Sequence, residues 1–317
     1  MTEFMAENKP VNKPENKSEN KSVNKLVEEK ALRLNRECKI LIVGTGLIGG
    51  SYAMALSRKG YDVSAIDTDA ESIAFGLENG FFREGSTEVR PDMLAAADIV
   101  VIGLYPTTLL GWLEANQQYF RPGTVITDVS GVKSNIVDKA QGFLRDDIEF
   151  CASHPMAGRE VSGIRNADWR IFRDANFIIT PTDRNTAEGI AVVRALAEDL
   201  EFKTIRELDI YAHDCMIGFL SQLTHAIAVS LMTCNDDDEL AAFTGDSFRD
   251  LTRIARINDE MWSELFLLNR DILMENIDRF AAELGRLRGM LEQNDRDGLR
   301  QMFRKSTERR RQFDAGK

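Results

Sequence analysis

The sequence predicts an α/β protein, in which a doubly wound parallel sheet is followed by an all-helical C-terminal domain. Two observations support this fold class. Short apolar runs alternate with helix-like segments as far as about Arg206, and beyond that residue helical patterns alone continue to about Phe313. Such an alternation is typical of parallel strands joined by crossover helices, which cover both faces of the sheet.

The first predicted strand is KILIVG at residues 39–44, a continuous apolar run that ends in glycine, as buried parallel strands do. Helix-like segments follow at residues 47–60 and 107–120. In the helical part, residues 209–232 form one long segment with helical apolar spacing. The remaining predicted strands are residues 61–67, 97–105, 123–130, 147–154 and 175–181.

Residues 1–37 differ from the rest of the chain, because Asn-Lys pairs recur in them every four residues among prolines and serines. Little of this segment can be buried, so that ordering it would not offset the lost chain entropy. We therefore predict a disordered tail, with a helix from about Val27 onward as the alternative for its last part.

The composition limits the partners and the compartment. A net charge of −11 argues against nucleic acid or an anionic membrane as a general partner, but a local arginine cluster can still bind a small anion. We see no apolar run near the ~18 residues that span a bilayer and no targeting signal, and therefore expect a cytoplasmic protein. The cysteines are scattered without metal-ligand spacing, which predicts a reducing compartment and no metal site: Cys38, Cys151, Cys215 and Cys234.

The segment GTGLIG at residues 44–49 matches the pattern GxGxxG, follows a predicted strand and opens a predicted helix. In that context Gly44 permits the tight turn, Gly46 lets a pyrophosphate approach the backbone, and the helix N-terminus faces the phosphates. Asp67, at the end of the next strand, is expected to accept hydrogen bonds from ribose hydroxyls and to repel a 2′-phosphate. The pattern thus predicts a Rossmann-like site for NAD, with contacts at Gly44, Gly46, Leu47, Ile48, Gly49 and Asp67.

Two alternatives to an NAD site remain open at this point. The same fold can hold a flavin or another nucleotide, and a glycine-rich turn can also occur without any ligand. The combination of strand, helix and acidic residue favours the dinucleotide.

The chain has only three histidines, and His154 lies directly before a proline among small residues in ASHPMAGRE. Proline forces an extended backbone on its predecessor, so we expect His154 at a strand end or in a rigid loop. The small neighbours leave room beside the imidazole, which fits either a structural corner or the wall of a site. A structural role is the default interpretation for a lone histidine.

Five further phrases carry a resemblance to a known family: DVSGVKSNI (128–136), SHPMAGREVSGIRNADWRIFRDANFIITP (153–181), AHD (212–214), SQLTH (221–225) and SFRDLTRIARINDEMWSELFLLN (247–269). With the glycine motif they resemble the prephenate/arogenate dehydrogenase family of tyrosine biosynthesis, from about Cys38 to about Gln312. The resemblance implies NAD-dependent oxidative decarboxylation of prephenate to 4-hydroxyphenylpyruvate, with arogenate as the alternative substrate. It also implies a dinucleotide-binding domain over residues 38–206, and a substrate-binding domain over 207–317 that forms a homodimer.

The resemblance also assigns roles to individual residues. His154 matches the catalytic histidine that accepts the hydroxyl proton, and Ser130 is the serine nearest to the expected catalytic position. Arg253 matches the arginine that binds a substrate carboxylate; an ion pair with Asp250 or Glu260 is its structural alternative. The other matches are His225, Trp262 and Gly245 near the substrate, and Thr127 and Asp128 where the nicotinamide edge would lie.

Two positions depart from the family pattern. Family members often carry a serine directly before VK, where this chain has Gly131, with Ser130 one residue earlier. Gln222 replaces the first histidine of a phrase that often begins SH, which leaves the choice between prephenate and arogenate open. His213 is expected to anchor the domain junction together with Asp214. With no chorismate mutase segment or regulatory domain recognised, feedback by tyrosine would act at the active site.

Two other functions remain as alternatives. A β-hydroxyacid or imine reductase has the same two-domain plan, but relies on a lysine or an acid in its helical domain. A catalytically silent NAD-binding sensor would keep the glycine motif and Asp67 without a reason to keep His154 and Arg253 together.

Overall fold

The computed structural model describes residues 33–314. Of the tail predicted for residues 1–37, residues 1–32 therefore lie outside the described part of the chain. The N-terminal half contains a parallel sheet of β1 (Lys39–Val43), β2 (Asp62–Ile66), β3 (Glu84–Ser86), β4 (Ile99–Ile102), β5 (Val125–Asp128) and β6 (Glu149–Phe150). The strand order is β3-β2-β1-β4-β5-β6. The chain adds β2 and β3 on one side of β1 and then returns to add β4, β5 and β6 on the other side, with all strands parallel. The predicted doubly wound α/β fold is therefore confirmed.

Helices connect the parallel strands and cover both faces of this sheet: α1 (Leu47–Arg58), α2 (Ala70–Glu78), α3 (Pro91–Ala96), α4 (Pro106–Asn116) and α5 (Val137–Phe143). The central strands β1 and β4 are almost entirely apolar because alternate residues enter two different cores. Ile40 and Ile42 of β1 belong to one buried cluster, and Leu41 and Val43 belong to the other. The turns at the carboxyl ends of β1, β4 and β5 meet at one edge of the sheet, where the site lies.

A second sheet follows, formed by β7 (Ala152–Pro155), β8 (Asn176–Thr180) and β9 (Thr204–Glu207). Strand β7 pairs antiparallel with β8, and β8 pairs parallel with β9; helix α6 (Ala187–Asp199) connects these last two strands. The single strand expected over residues 147–154 is wrong. The Cys151 N–H still donates to the Ile126 carbonyl (2.9 Å), but the Ser153 N–H donates to the Asp128 carboxylate (3.0 Å), and this bond turns the chain away from β5.

The C-terminal part is helical over the residues that the structure describes. It consists of α7 (Ile210–Ile217), a π-helical turn (Gly218–Gln222), α8 (Leu223–Thr233), α9 (Asp246–Thr252), α10 (Asp259–Leu268), α11 (Arg270–Glu292) and α12 (Arg296–Arg311), with short 3₁₀ segments between them. Side-chain caps define several helix starts, as the sequence chemistry dictates. Asp209 accepts from the Ala212 N–H at the start of α7, and Asn258 accepts from the Met261 N–H at the start of α10 (both 2.9 Å).

One sequence expectation about membranes is wrong. The segments α7, the π-helical turn and α8 join into one helical run, Ile210–Thr233, that is long and apolar enough to span a bilayer by length and composition, since its most apolar 18-residue window has a mean hydropathy of 1.5. Core helices of water-soluble proteins have the same composition. The run also carries Asp214, whose carboxylate accepts two backbone hydrogen bonds from the α/β domain (2.9 and 2.7 Å), and these contacts favour a packed helix.

Candidate active site

The turn after β1 leaves the backbone open at one glycine and closed at two others. Among the described residues other than Gly46 and its two chain neighbours, no atom lies within 4 Å of a Cβ placed on Gly46, whereas a Cβ on Gly49 would lie 1.9 Å from the Gly44 carbonyl oxygen. Gly44 itself has φ +87°, and its Cβ would lie 2.8 Å from the Gly103 oxygen. The turn therefore has the shape that a dinucleotide pyrophosphate needs, and the first N–H groups of α1 at Leu47 and Ile48 face that space.

Asp67 is held at the rim of this turn. Its Oδ2 atom accepts from the Thr45 N–H (2.6 Å) and the Thr45 hydroxyl (2.8 Å), and its Oδ1 atom accepts from the Asp69 N–H (2.9 Å). A carboxylate offers about four acceptor positions, so one remains for a ribose hydroxyl. The carboxylate is thus positioned by the glycine turn that would hold the phosphates.

Asp128, at the end of β5, organises the next loop from inside the protein. Its Oδ2 atom accepts from Lys133 Nζ (2.6 Å) and from the Ser130 N–H (3.0 Å), and neither side chain of the ion pair is exposed. Thr127 is also buried, with its hydroxyl 2.8 Å from the Ser153 hydroxyl. The structure places Thr127 and Asp128 at the expected strand end, but their side chains are engaged inside, so that a nicotinamide would meet only their backbone.

His154 lies on β7 and begins a chain of three side chains. Its Nδ1 atom is 3.0 Å from His213 Nε2, and His213 Nδ1 is 2.7 Å from Asp214 Oδ1. A carboxylate only accepts, so His213 carries its proton on Nδ1 and accepts at Nε2. His154 must then donate from Nδ1, which leaves the lone pair of its Nε2 atom free.

The surroundings keep both imidazoles neutral. Burial lowers the pKa of His154 well below 6.5, and the positive charges that His213 and Lys133 can carry lower it further. Burial also lowers the pKa of His213, although the hydrogen bond to Asp214 opposes this effect. A neutral imidazole with a free Nε2 lone pair is the form that accepts a proton.

The loop beside the free nitrogen is formed by Ser130 and Gly131. A Cβ on Gly131 would lie 3.9 Å from His154 Nε2 and 3.7 Å from the Leu265 methyl carbons. The missing family serine would therefore stand next to the imidazole, and glycine leaves that space open. The Ser130 hydroxyl is buried and has no hydrogen-bond partner among residues 33–314, so it does not replace that serine as a partner of His154 in this structure.

The helical domain supplies the other side of the site. The His225 ring stacks on Trp262 with centroids 3.7 Å apart, and His225 Nδ1 donates to the Ser221 carbonyl (2.9 Å). Burial lowers the pKa of His225, which Ser221 and Glu160 oppose and Arg253 reinforces. Arg253 pairs with Glu160 rather than with Asp250 or Glu260, and 63% of its side chain is exposed. His225, Trp262 and Arg253 are thus brought together.

Gly245 and Gln222 have surroundings of a different kind. Gly245 is the exposed N-cap residue of α9, and a Cβ there would meet no described atom within 4 Å. Gln222 is buried, with its Nε2 donating to the Leu265 carbonyl (2.9 Å) and its Oε1 accepting from Asn269 (2.7 Å). Its amide is therefore used inside the helical domain.

The contact between His154 and His213 was not predicted from the sequence. The two residues are distant in the chain, and the signal available was the adjacent pair His213-Asp214, which was assigned to the domain junction alone. Asp214 does join the two parts of the chain, because its carboxylate accepts from the N–H groups of Lys133 (2.9 Å) and Ser134 (2.7 Å). The same carboxylate therefore anchors the junction and orients His213. Among the residues that the structure describes, no cluster of three or more candidate ligands could hold a metal ion.

Comparison with known proteins identifies two domains in the chain. Residues 52–206 match the family model described as the prephenate dehydrogenase nucleotide-binding domain, and residues 210–305 match the prephenate dehydrogenase dimerization domain. Together they span most of the chain.

Individual proteins agree with the domain matches. A prephenate dehydrogenase from Lactococcus lactis is 30% identical over 278 residues, covering 84% of this chain and 74% of the relative. One from Bacillus subtilis is 28% identical over 272 residues, covering 84% and 73%. A crystal structure of prephenate dehydrogenase from A. aeolicus, in complex with hydroxyphenyl propionate and NAD⁺, superposes with a TM-score of 0.81 at 26% identity, covering 90% of this chain and all of that one.

Proposed function

This chain belongs to the prephenate dehydrogenase family, and on that basis we propose that it catalyses the oxidative decarboxylation of prephenate to 4-hydroxyphenylpyruvate with NAD⁺. It is an NAD-dependent dehydrogenase. The observation that carries the proposal is the chain from His154 through His213 to Asp214, at the carboxyl edge of a sheet whose first turn is shaped for a dinucleotide.

His154 acts as the proton acceptor in this proposal. Its free Nε2 atom accepts a hydrogen bond from the ring hydroxyl of prephenate and takes up the proton as the carbon–hydrogen bond of that carbon breaks. Gly44, Gly46 and Asp67 would hold NAD⁺ at the turn after β1, where it would supply the hydride acceptor. His213 and Asp214 stabilise the resulting imidazolium, because its Nδ1–H points along a chain that ends in a carboxylate.

The substrate carboxylates require cationic partners in an acidic protein. Arg253 has a planar guanidinium that suits a bidentate carboxylate, and Glu160 is its partner in this structure. A substrate carboxylate would compete with Glu160 for that position. The stacked pair His225 and Trp262 offers an apolar wall for the ring, together with the free Nε2 atom of His225.

The ring carboxylate leaves as carbon dioxide when the ring becomes aromatic, so that it needs space rather than a strong cation. The open position at Gly131, beside His154 Nε2, would lie at the hydroxyl end of the ring, opposite this carboxylate. The same site accommodates arogenate, which differs from prephenate in carrying an amino acid side chain in place of the keto acid.

The direct test is NADH formation, followed by absorbance, with purified protein and either prephenate or arogenate. We expect turnover with prephenate and NAD⁺, with carbon dioxide and NADH produced in equal amounts. NADH formation with arogenate alone would assign the alternative substrate. The absence of turnover with both substrates would contradict the proposed function.

The same proposal includes the organisation of the chain. We assign residues 38–206 to dinucleotide binding and residues 207–317 to substrate binding and homodimer formation, since residues 210–305 match a dimerization domain. The acidic net charge and the biosynthetic reaction support a cytoplasmic location.

A further inference from the structure

A π-helical turn interrupts the long helix of the C-terminal domain between its two histidines. The Leu223 N–H donates to the Gly218 carbonyl five residues earlier, whereas an α-helix uses the carbonyl four residues earlier. His213 lies before this turn and contacts His154, and His225 lies after it and stacks on Trp262. The turn therefore separates the residue that supports the proposed base from the residue that lies against the proposed substrate wall.

The turn changes which residues share a face of the helix. His225 follows His213 by twelve residues, and in an uninterrupted α-helix this spacing puts two side chains about 120° apart. A π-helical turn takes up roughly one extra residue without extra rotation, which reduces that angle to about 20–30°. The two imidazoles consequently share one face because of the turn.

Side chains of this protein hold the turn in place. Gln222, inside the turn, donates to the Leu265 carbonyl (2.9 Å) and accepts from Asn269 (2.7 Å), and the Asn269 amide also donates to the Asp214 carbonyl (3.0 Å). Gly218 permits close packing of α11, since a Cβ there would lie 2.7 Å from an Ile272 methyl carbon. Asn269 therefore links the turn to the backbone of Asp214, which orients His213.

We propose that the π-helical turn Gly218–Gln222 is a positioning element for the reaction. It sets the register of the long helix so that His213 and His225 lie on the same side of the helix, about three turns apart, with Gln222 and Asn269 as the positioning residues that hold it. The kinetic part of this inference rests on the proposed function, whereas its structural part depends only on the register of the helix.

The test is to delete Leu220, an exposed residue of the turn, so that the helix can close as a continuous α-helix. Leu220→Ala is the matched control, because it removes the same side chain and keeps the residue count. We expect the deletion to lower kcat/KM for prephenate by at least ~100-fold relative to this control, since small misplacements have costs of that size. The affinity for NAD⁺, which depends on the turn after β1, should stay the same.

A second readout is independent of activity. The protein has only three histidines, so ¹⁵N-imidazole NMR follows each of them separately. We expect the deletion to move the titration of His213 or His225 toward the ordinary value of about 6.5, because one of them leaves its enclosed position. If the wild type oxidises neither prephenate nor arogenate, the proposed function fails, while this titration still tests the helix register.

Gln222→Leu keeps the residue count and removes both side-chain hydrogen bonds of the turn. It is expected to lower kcat/KM for prephenate, as the deletion does, and to shift the His225 titration. If the deletion variant does not fold, Gln222→Leu alone tests the role of the π-helical turn. The proposal would be overturned if both variants matched Leu220→Ala in two respects. Their kcat/KM for prephenate would have to lie within about threefold of the control value, and their histidine titration midpoints within about 0.2 pH units of it.

Discussion

The Asp214 carboxylate, at the far end of the hydrogen-bond chain His154–His213–Asp214, determines which nitrogen of His154 can accept a proton. Asp214 accepts from His213 (2.7 Å) and from two backbone N–H groups, and burial alone would raise its pKa, but these hydrogen bonds outweigh burial and keep the pKa lowered. An ionised Asp214 fixes the tautomer of His213, and His213 in turn fixes that of His154. The free lone pair thus points away from the chain.

The first prediction concerns His154→Asn. Asparagine has a similar size but cannot accept the proton, so we expect kcat to fall by ~10²–10⁴-fold, as is usual for the loss of a general base. NAD⁺ affinity should be nearly unchanged, because Gly44, Gly46 and Asp67 do not contact this side chain. Steady-state kinetics and NAD⁺ titration check both parts. A variant that keeps more than about a tenth of wild-type kcat would remove His154 from the mechanism.

The second prediction concerns cofactor choice at Asp67. Asp67→Ala removes the carboxylate that would repel a 2′-phosphate, so we expect the ratio of kcat/KM values for NADP⁺ and NAD⁺ to rise by at least about tenfold, equivalent to ~1.4 kcal/mol. Asp62→Ala, at the opposite end of β2, is the matched control and should leave the ratio unchanged. A wild-type preference for NADP⁺ would contradict this role of Asp67.

Residue types in context supplied the candidates for the site, but not the contacts between them. His154, Arg253, His225 and Trp262 were identified from their phrases, and the structure brings the last three together. The partners of the charged groups were not predictable: Arg253 pairs with Glu160, which is distant in sequence and lies in a loop. Pairings of this kind depend on how the two halves of the chain pack, which no local pattern encodes.

At the scale of the elements, the two halves of the chain meet through a helix N-terminus. Helix α4 begins at Pro106, whose missing N–H is tolerated there, and the Thr107 N–H donates to Glu264 of α10 at 2.5 Å. The Thr107 hydroxyl donates to the same carboxylate oxygen. A negative charge at this position is favoured by the helix dipole as well as by the hydrogen bonds.

We predict that Glu264→Ala lowers the free energy of unfolding by about 0.5–2 kcal/mol, the usual range for losing an acceptor at a helix N-terminus. Glu260→Ala on the same helix is the control, because Glu260 is exposed and its carboxylate has no hydrogen-bond or ion-pair partner among residues 33–314. Urea denaturation followed by circular dichroism measures both variants. Equal midpoints for the two would show that the contact contributes nothing to stability.

Element types followed from periodicity, whereas pairing and register did not. The apolar run at residues 147–154 has the composition of one strand, but it is divided between two sheets because Asp128 binds the Ser153 N–H. The long helix at residues 209–232 was predicted as continuous, but its π-helical turn depends on contacts with Leu265 and Asn269, far along the chain. In both cases a distant hydrogen bond overrides the local pattern.

At the scale of the whole molecule, all three histidines carry lowered pKa values, each chiefly because of burial. Unfolding therefore binds up to three protons once the pH falls below the unfolded value of about 6.5. The free energy of unfolding should be constant near pH 7.5 and decrease as the pH falls through 6.5, with a limiting slope of about 4 kcal/mol per pH unit.

Thermal or urea unfolding between pH 5.5 and 7.5 measures this slope, in a range where carboxylates titrate little. His225→Gln removes one of the three groups and should reduce the slope by about one third. Stability that is independent of pH across this range, or that rises as the pH falls, would contradict the burial of neutral imidazoles.

The last prediction concerns the apolar surface of the helical domain. Large side chains are exposed on several of its helices, among them Tyr211 (67%), Leu267 (72%) and Met274 (55%), and only 28% of the most apolar window of Ile210–Thr233 is buried within one chain. Exposure on this scale is unusual for a monomer. We therefore expect a homodimer through these helices, with upwards of ~2,000 Å² buried in total.

Sedimentation at sub-micromolar protein concentration tests this expectation. Leu267→Asp should weaken the dimer, because it would place a charge in an apolar interface, whereas Leu77→Asp on α2, also at an exposed leucine (42%), should leave it intact. Since Arg253 and Trp262 lie in the same helical domain, dissociation should also raise KM for the substrate more than it lowers NAD⁺ affinity. A stable, fully active wild-type monomer would contradict the dimer, and the roles of His154 and Asp67 would stand independently of that result.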